Sequence, residues 1–174
     1  QIPETARTFL GLSLHIPYKG RLVVRGEAVI SYKDFEAINS GLSPEEQYKN
    51  PRNLCSGSVR QLNSQITATR RVHYIVYTLV SSEDAPGDIP FSKERKSRQL
   101  EQLAAMGFEM VEWTRVCQEQ LLSAIDSYAE RVSAEKYPSD GLVLTYDDIV
   151  YSASLGRTAK FPRDSMAFKW QDET

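Results

Sequence analysis

The chain has 174 residues, which is enough for one well-packed domain or a domain with a small additional lobe. Hydrophobic residues make up 41% and charged residues 25% of the chain, as is typical of a soluble globular protein. The net charge of −2 excludes a globally basic nucleic-acid-binding domain, so any contact with DNA would be local. Cys55 and Cys117 form neither a disulfide framework nor a metal-ligand spacing with the two histidines, so we expect no metal site. No apolar run is long enough to span a membrane, and we expect a cytoplasmic location with no membrane partner.

The first two predicted elements are a strand and, directly after it, a helix. Residues 21–30 favour a strand, because β-branched residues flank a central Arg-Gly-Glu. Ser31 and Asp34 then form the pattern of a helix N-terminal cap, and they start a short helix with Phe35 and Ile38 facing inward.

A polar turn, a second helix, a second strand and a loop follow. The turn covers residues 41–49, and Asn50 and Pro51 are typical of the cap and the first turn of a helix. Residues 72–80 are mostly apolar, which predicts a strand that is buried on both faces or nearly so. Residues 81–90 contain two prolines, a glycine and acidic residues, and they predict a loop.

The second half of the chain begins with a predicted helix and a third strand. The helix begins at Ser92, its predicted cap, runs through Met106 and ends at Gly107. Its apolar stripe consists of Leu100, Leu103 and Ala104. Residues 109–116 then predict a strand.

The last predicted elements are an amphipathic helix over residues 119–132 and short strands over residues 141–145 and 165–170. The apolar face of that helix, which we expect in the core, consists of Leu121, Leu122, Ile125, Tyr128 and Val132. Because strands and helices mix without regular βαβ alternation, we expect an α+β fold with antiparallel sheets and packed helices. We expect a single domain over residues 1–174.

Two arginines in the second predicted helix are the first candidates for a binding site. Arg60 follows Arg52 by slightly more than two helical turns, so both guanidinium groups can lie on roughly the same side. Two such groups on one face can clamp a phosphate or a carboxylate. The alternative is a solvated helix face with surface ion pairs.

Four motifs along the chain suggest a family. In order they are VRGE at 24–27, NPRNLCSGSVRQL at 50–62, SDGLVL at 139–144 and MAFKW at 166–170. Together they closely resemble the adenylation (nucleotidyltransferase) domain of bacterial NAD⁺-dependent DNA ligases. The segments ITATR at 66–70 and LGRTAKFPRDS at 155–165 are similar to linking segments of that family. The resemblance covers nearly the whole chain and implies part of the ATP-grasp-like nucleotidyltransferase fold of these ligases.

The resemblance also implies a reaction and its partners. In this family an enzyme lysine takes AMP from NAD⁺, the AMP passes to the 5′-phosphate of a nick in double-stranded DNA, and the 3′-hydroxyl displaces it. The implied cofactors are NAD⁺ and Mg²⁺, and the implied partners are nicked DNA, NAD⁺ or AMP, and the other domains of the ligase. Phosphoryl transfer of this kind depends mostly on positioning and charge neutralisation.

Three residues of the first half have roles implied by the resemblance. Glu27 would accept hydrogen bonds from the ribose hydroxyls of AMP, and Arg52 and Arg60 would face phosphates of the nucleotide or of the nick. For Glu27 the alternative is an acidic residue of a strand edge that pairs with Arg25.

Three residues of the second half have implied roles as well. Asp140 would lie at the catalytic site, Val143 would line the adenine pocket, and Lys169 would reach the α-phosphate as a compact charge. Without the resemblance, Asp140 is more often part of a plain turn, Val143 a core residue, and Lys169 a strand residue with its ammonium in water.

The chain also departs from the family pattern in two ways. The family nucleophile lies in a Lys-x-Asp-Gly motif, which does not occur between residues 1 and 174. We therefore interpret the chain as the C-terminal portion of the adenylation domain, and we expect it to be inactive alone. The second departure is Thr145, which stands where the family commonly has a lysine. Lys160 and Arg163 are candidates to replace that charge only because they are near the next motif.

Three interpretations remain open from the sequence. The chain is part of a ligase, or a non-catalytic nucleotide- or DNA-binding relative of the adenylation domain, or a plain structural domain whose arginines make surface ion pairs. The last accounts for the composition but not for four motifs in order. A Lys-x-Asp-Gly motif encoded shortly upstream of Gln1 would separate the first two.

Overall fold

The computed structural model describes residues 2–160 and 162–169. The helices are α1 (Ile2–Ala6), α2 (Tyr32–Ser40), α3 (Pro51–Val59), α4 (Ser64–Thr69), α5 (Lys96–Ala105), α6 (Leu121–Arg131) and α7 (Ile149–Leu155), with 3₁₀ turns at Gln118–Gln120 and Val132–Ala134. The strands are β1 (Arg21–Val29), β2 (His73–Glu83), β3 (Gly141–Thr145) and β4 (Ser165–Lys169). The sheets are antiparallel pairs, β1 with β2 and β3 with β4, so the predicted α+β class is confirmed. Among the described helices, none has the length and apolar character needed to cross a membrane.

The chain divides into two compact units. The first comprises the described residues of Gln1–Ile89, Leu103–Val111 and Lys136–Pro138. The second comprises those of Pro90–Gln102, Glu112–Glu135 and Ser139–Thr174. The expected single domain over residues 1–174 stays a prediction.

The first unit is built around the antiparallel pair of β1 and β2. Its register runs from Arg21 opposite Glu83 to Val29 opposite His73, with irregularities that increase the local twist. Helix α3 packs against β1, and α2 and α4 pack against α3. The buried core of this unit consists of Ile30, Leu54, Cys55 and Val72, with Phe9, Ala28, Phe35, Ile38 and Tyr48 packed against it.

Gly26 is required by a close approach between β1 and β2. A Cβ atom at this position would lie 2.4 Å from the carbonyl oxygen of Ile75 and 2.9 Å from the ring of Tyr74. Only glycine leaves room for that contact. The VRGE motif therefore places its glutamate on a strand that is tightly apposed to its partner.

In the second unit, the partly buried carboxylate of Asp147 holds the start of α5 in place. Asp147 accepts hydrogen bonds from the backbone N–H of Ser97 at 2.7 Å and from its hydroxyl at 3.0 Å. The guanidinium groups of Arg95 and Arg115 lie 3.4 and 3.2 Å from the same carboxylate. Despite the opposing effect of burial, these contacts hold the pKa of Asp147 below its usual value, so the cap stays charged.

The structure corrects two predicted element boundaries and one predicted strand. Helix α5 begins at Lys96 rather than at Ser92, because Asp147 caps it from a distant part of the sequence. The Ser92 hydroxyl instead accepts from the N–H groups of Glu94 and Arg95 and closes a turn before the helix. Strand β2 continues to Glu83, into the predicted loop over residues 81–90, because its last residues pair with the start of β1. Residues 109–116 are not a strand, since they make only a single bridge, between Met110 and Val76.

Three burial predictions are also wrong. Strand β2 is not buried on both faces: Tyr77 is 44% and Val80 48% exposed, because a two-stranded sheet leaves part of its surface unpacked. Leu122 of α6 is 75% exposed, and Ala104 of α5 is exposed, so neither belongs to the core.

Helices α1, α4 and α7 are short and were not predicted. The predicted strand over 165–170 is present as β4, and its last position, Trp170, lies outside the described residues.

Candidate functional site

One groove in the first unit is lined by three of the predicted site residues. Glu27 comes from β1, Arg52 from the first turn of α3, and Arg60 from the end of the same helix. The cavity has a volume of about 280 Å³, near the lower end of the range for small-molecule sites. All three side chains belong to exposed residues, so their charged groups are accessible to a ligand.

Local sequence signals place the two arginines on this groove. The side chain of Asn50 accepts a hydrogen bond from the Asn53 N–H at 2.8 Å and Pro51 occupies the first turn, so the predicted helix start is confirmed. Helix α3 then makes about two turns before Arg60, which is its C-cap residue. Both arginines consequently line one groove, as their spacing predicted.

The groove rests on the buried core of the first unit. The Cys55 thiol donates a hydrogen bond to the carbonyl oxygen of Ala28 at 3.2 Å, which ties α3 to β1. Burial, together with the nearby carboxylate of Glu27, raises the pKa of this thiol to about 11. The thiol therefore stays protonated at neutral pH and does not serve as a nucleophile. Cys55 therefore holds the wall of the groove in place and takes no part in the chemistry.

The charges of the groove fit a ligand with hydroxyl groups and phosphates. A carboxylate accepts hydrogen bonds from vicinal hydroxyls, and guanidinium groups donate to phosphate oxygens. The alternative ion pair between Glu27 and Arg25 is not found among the residues that the structure describes. Among the described residues, the Glu27 carboxylate thus makes no ion pair with Arg25 on the same strand.

The β3–β4 pair of the second unit carries the other predicted residues. Gly141 lies opposite Lys169 and Val143 opposite Ala167, and side chains of directly opposite residues share a face. Because alternate residues of a strand also share a face, Val143 and Lys169 lie on the same face of the pair. Val143 is 72% exposed, so it is not the core residue of the alternative interpretation. Asp140 directly precedes β3 and is exposed.

Comparison with known proteins decides the family. Residues 2–173 match the family described as NAD-dependent DNA ligase adenylation domain. The chain belongs to this family. It is 44% identical over 173 residues to a DNA ligase of Ruminiclostridium cellulolyticum, and 44% identical over 176 residues to one of Lachnoclostridium phytofermentans. A DNA ligase of Clostridioides difficile is 31% identical over 176 residues.

These relatives are much longer than the chain. Each of the three alignments covers 99% of the chain but only 25% or 26% of the relative. The chain thus spans about a quarter of the length of the curated relatives that it matches. The resemblance read from the four motifs is confirmed at the level of the adenylation-domain family.

Within this family fold, Thr145 belongs to a network that the sequence did not reveal. Its hydroxyl lies 2.7 Å from that of Ser165 on β4, and both are next to Asp164. The Asp164 carboxylate accepts a hydrogen bond from Lys96 at 2.6 Å, which is the main reason why its pKa lies below the usual value. Lys96 is thus linked through Asp164 to Thr145, the position at which the family resemblance leads us to expect a lysine. Lys160, one sequence-based candidate, is exposed outside this network.

The predicted site residues are divided between the two units. Glu27, Arg52 and Arg60 belong to the first unit, whereas Asp140 and Lys169 belong to the second. We expect from the family resemblance that Glu27, Asp140 and Lys169 line one cleft, with Arg52 and Arg60 at its mouth. This stays a prediction, as do the roles of the individual residues.

A metal site was not expected in the chain itself, although the reaction implies Mg²⁺. In residues 2–160 and 162–169, no group of three or more His, Cys, Asp or Glu residues is arranged to hold a metal ion. The role of Mg²⁺ stays a prediction.

Proposed function

We propose that the chain acts as part of an NAD⁺-dependent DNA ligase that seals nicks in double-stranded DNA through enzyme–AMP and DNA–AMP intermediates. The observation that carries this proposal is the groove whose lining includes one acidic residue, Glu27, and two arginines, Arg52 and Arg60. Membership of the adenylation-domain family supports it. Such an enzyme would serve DNA replication and repair in the cytoplasm.

The groove would hold the nucleotide. The Glu27 carboxylate would accept hydrogen bonds from ribose hydroxyls, and Arg52 and Arg60 would face phosphates of the nucleotide or of the nick. Bound NAD⁺ supplies the activated adenylyl group. The buried core beneath the groove, including Cys55, keeps its walls in place.

The β3–β4 pair would contribute the remaining contacts. Val143 offers an exposed apolar surface for the adenine ring, and Lys169, on the same face, offers a compact positive charge for the α-phosphate. Asp140 would lie at the same site. Nicked DNA, Mg²⁺ and the other ligase domains are the further partners that this function requires.

A nick-sealing assay on the full-length protein tests the proposal. It should seal a nicked duplex with NAD⁺ and not with ATP, and Glu27→Ala should abolish enzyme adenylation. Glu83→Ala is a matched control, because Glu83 is an exposed carboxylate at the other end of the same pair of strands. If the protein binds nucleotide but forms no adenylate and seals nothing, it is a non-catalytic binding module instead.

A further inference from the structure

A hydrogen-bonded cluster on the first unit has no role in the proposed chemistry. The Glu109 carboxylate accepts a hydrogen bond from the Tyr137 hydroxyl at 2.8 Å, and its other oxygen lies 2.7 Å from the Nδ1 atom of His73. The side chains of His73 and Glu109 are only 14% and 29% exposed. The centres of the His73 and Tyr137 rings are 5.6 Å apart, so the three side chains form one packed group.

The charge states of this cluster favour a strong hydrogen bond. Partial burial opposes ionisation of Glu109, but hydrogen bonds from His73 and Tyr137 outweigh it and lower the pKa of the carboxyl. Burial and the contact with Glu109 raise the pKa of Tyr137. At neutral pH a charged acceptor therefore faces a protonated phenol, which is the stronger class of hydrogen bond.

Tyr137 belongs to a short segment that reaches the nucleotide groove from a distant part of the sequence. Residues 136–138 have no regular secondary structure, yet Pro138 lines the groove together with Glu27 and Arg60. A second bond, from the Tyr32 N–H to the Lys136 carbonyl oxygen at 3.1 Å, holds the segment at the start of α2. The Lys136 ammonium lies 4.9 Å from the centre of the Tyr137 ring. The segment is thus held by side-chain contacts and one backbone hydrogen bond rather than by a helix or a sheet.

We propose that Tyr137 is a positioning residue for the groove: its hydroxyl, held by Glu109, fixes Pro138 as part of the wall that encloses the nucleotide. This inference rests on the proposed function. Pro138, rather than Tyr137, is among the residues that line the groove, so Tyr137 should affect how well the nucleotide binds rather than how fast bound nucleotide reacts.

The test compares KM and kcat for NAD⁺ in the full-length ligase. Tyr137→Phe keeps the ring and removes only the hydroxyl, and it should raise KM about tenfold with kcat within about twofold, as expected for one lost charge-assisted bond. Glu109→Ala should also raise KM, and the double variant should be no worse than Glu109→Ala, because the bond between Tyr137 and Glu109 is already lost in that single variant. Glu109→Gln should restore most of the affinity, since its amide oxygen still accepts from Tyr137.

Tyr77→Phe is the matched control, because it removes an exposed tyrosine hydroxyl from the same strand as His73 and should leave KM unchanged. An unchanged KM in Tyr137→Phe with a lower melting temperature would overturn the inference, because the cluster would then only stabilise the fold. A fall in kcat without a rise in KM would overturn it as well. If Glu27→Ala also leaves KM unchanged, the groove itself is not the nucleotide site, and both proposals fail for that distinct reason.

Discussion

Replacement of Arg60 by alanine should separate a role in phosphate binding from a role in folding. Arg60 ends α3, where its backbone N–H bonds to the carbonyl oxygen of Ser58, and the substitution leaves that bond in place. The residue is exposed, and in the described part of the chain its guanidinium makes no ion pair. The free energy of unfolding should therefore change by less than about 0.5 kcal/mol.

The expected loss of activity is much larger. A charge-assisted contact that a guanidinium makes with phosphate in the transition state contributes roughly 2–4 kcal/mol. Each 1.4 kcal/mol corresponds to about a factor of ten in rate, so adenylation or sealing should slow by about 30- to 1,000-fold.

Single-turnover adenylation with NAD⁺ and sealing of a pre-adenylated nick, both in the full-length ligase, measure the two steps separately. Arg98→Ala is the control, because Arg98 is an exposed helix arginine whose guanidinium pairs, among the described residues, with nearby Glu101 at 2.8 Å. It should leave both rates unchanged. If Arg60→Ala keeps full rates while its melting temperature falls, Arg60 is structural and the phosphate interpretation is wrong.

The other predictions concern the missing nucleophile, the β3–β4 pair and the strand that carries Glu27. Residues 1–174 alone should gain no AMP from NAD⁺, since no Lys-x-Asp-Gly motif is present; intact-mass measurement of a stoichiometric adduct would refute this. In the full-length ligase, Lys169→Ala should slow single-turnover AMP transfer by roughly 100-fold or more, and Lys169→Arg should restore little; wild-type rates would contradict this. Thr145→Lys should be neutral or mildly activating in the sealing assay because Thr145 is exposed, and a large loss of rate would argue against the family geometry here. Gly26→Ala should lower the free energy of unfolding by about 1–3 kcal/mol, because its Cβ would lie 2.4 Å from the Ile75 carbonyl oxygen; an unchanged urea midpoint would show that the strands relax.

Signals that are local in the sequence predicted local structure well. The caps at Ser31 and Asn50 are confirmed, because the groups that bond to them lie three residues away on the same helix. The start of α5 was missed, since its capping carboxylate, Asp147, is fifty residues further along the chain. No propensity of residues 92–96 could reveal that contact.

In the candidate site too, the sequence predicted what depends on local spacing and missed what depends on tertiary contacts. Spacing alone placed Arg52 and Arg60 on one side of a helix, which the shared groove confirms. The presence of Glu27 in that groove depends on how α3 packs against β1, and only the family resemblance indicated it. The place of Pro138 in the groove could not be predicted, and neither could the hydrogen bond from Tyr137 to Glu109. Both depend on tertiary contacts of a segment without regular secondary structure.

A crystal structure of the protein with AMP tests the central claim most directly. AMP should lie in the groove of the first unit, with its ribose hydroxyls within hydrogen-bond distance, about 3 Å, of the Glu27 carboxylate. Its phosphate should face Arg52 or Arg60. AMP bound at another surface, with this groove empty at saturating nucleotide, would contradict the account.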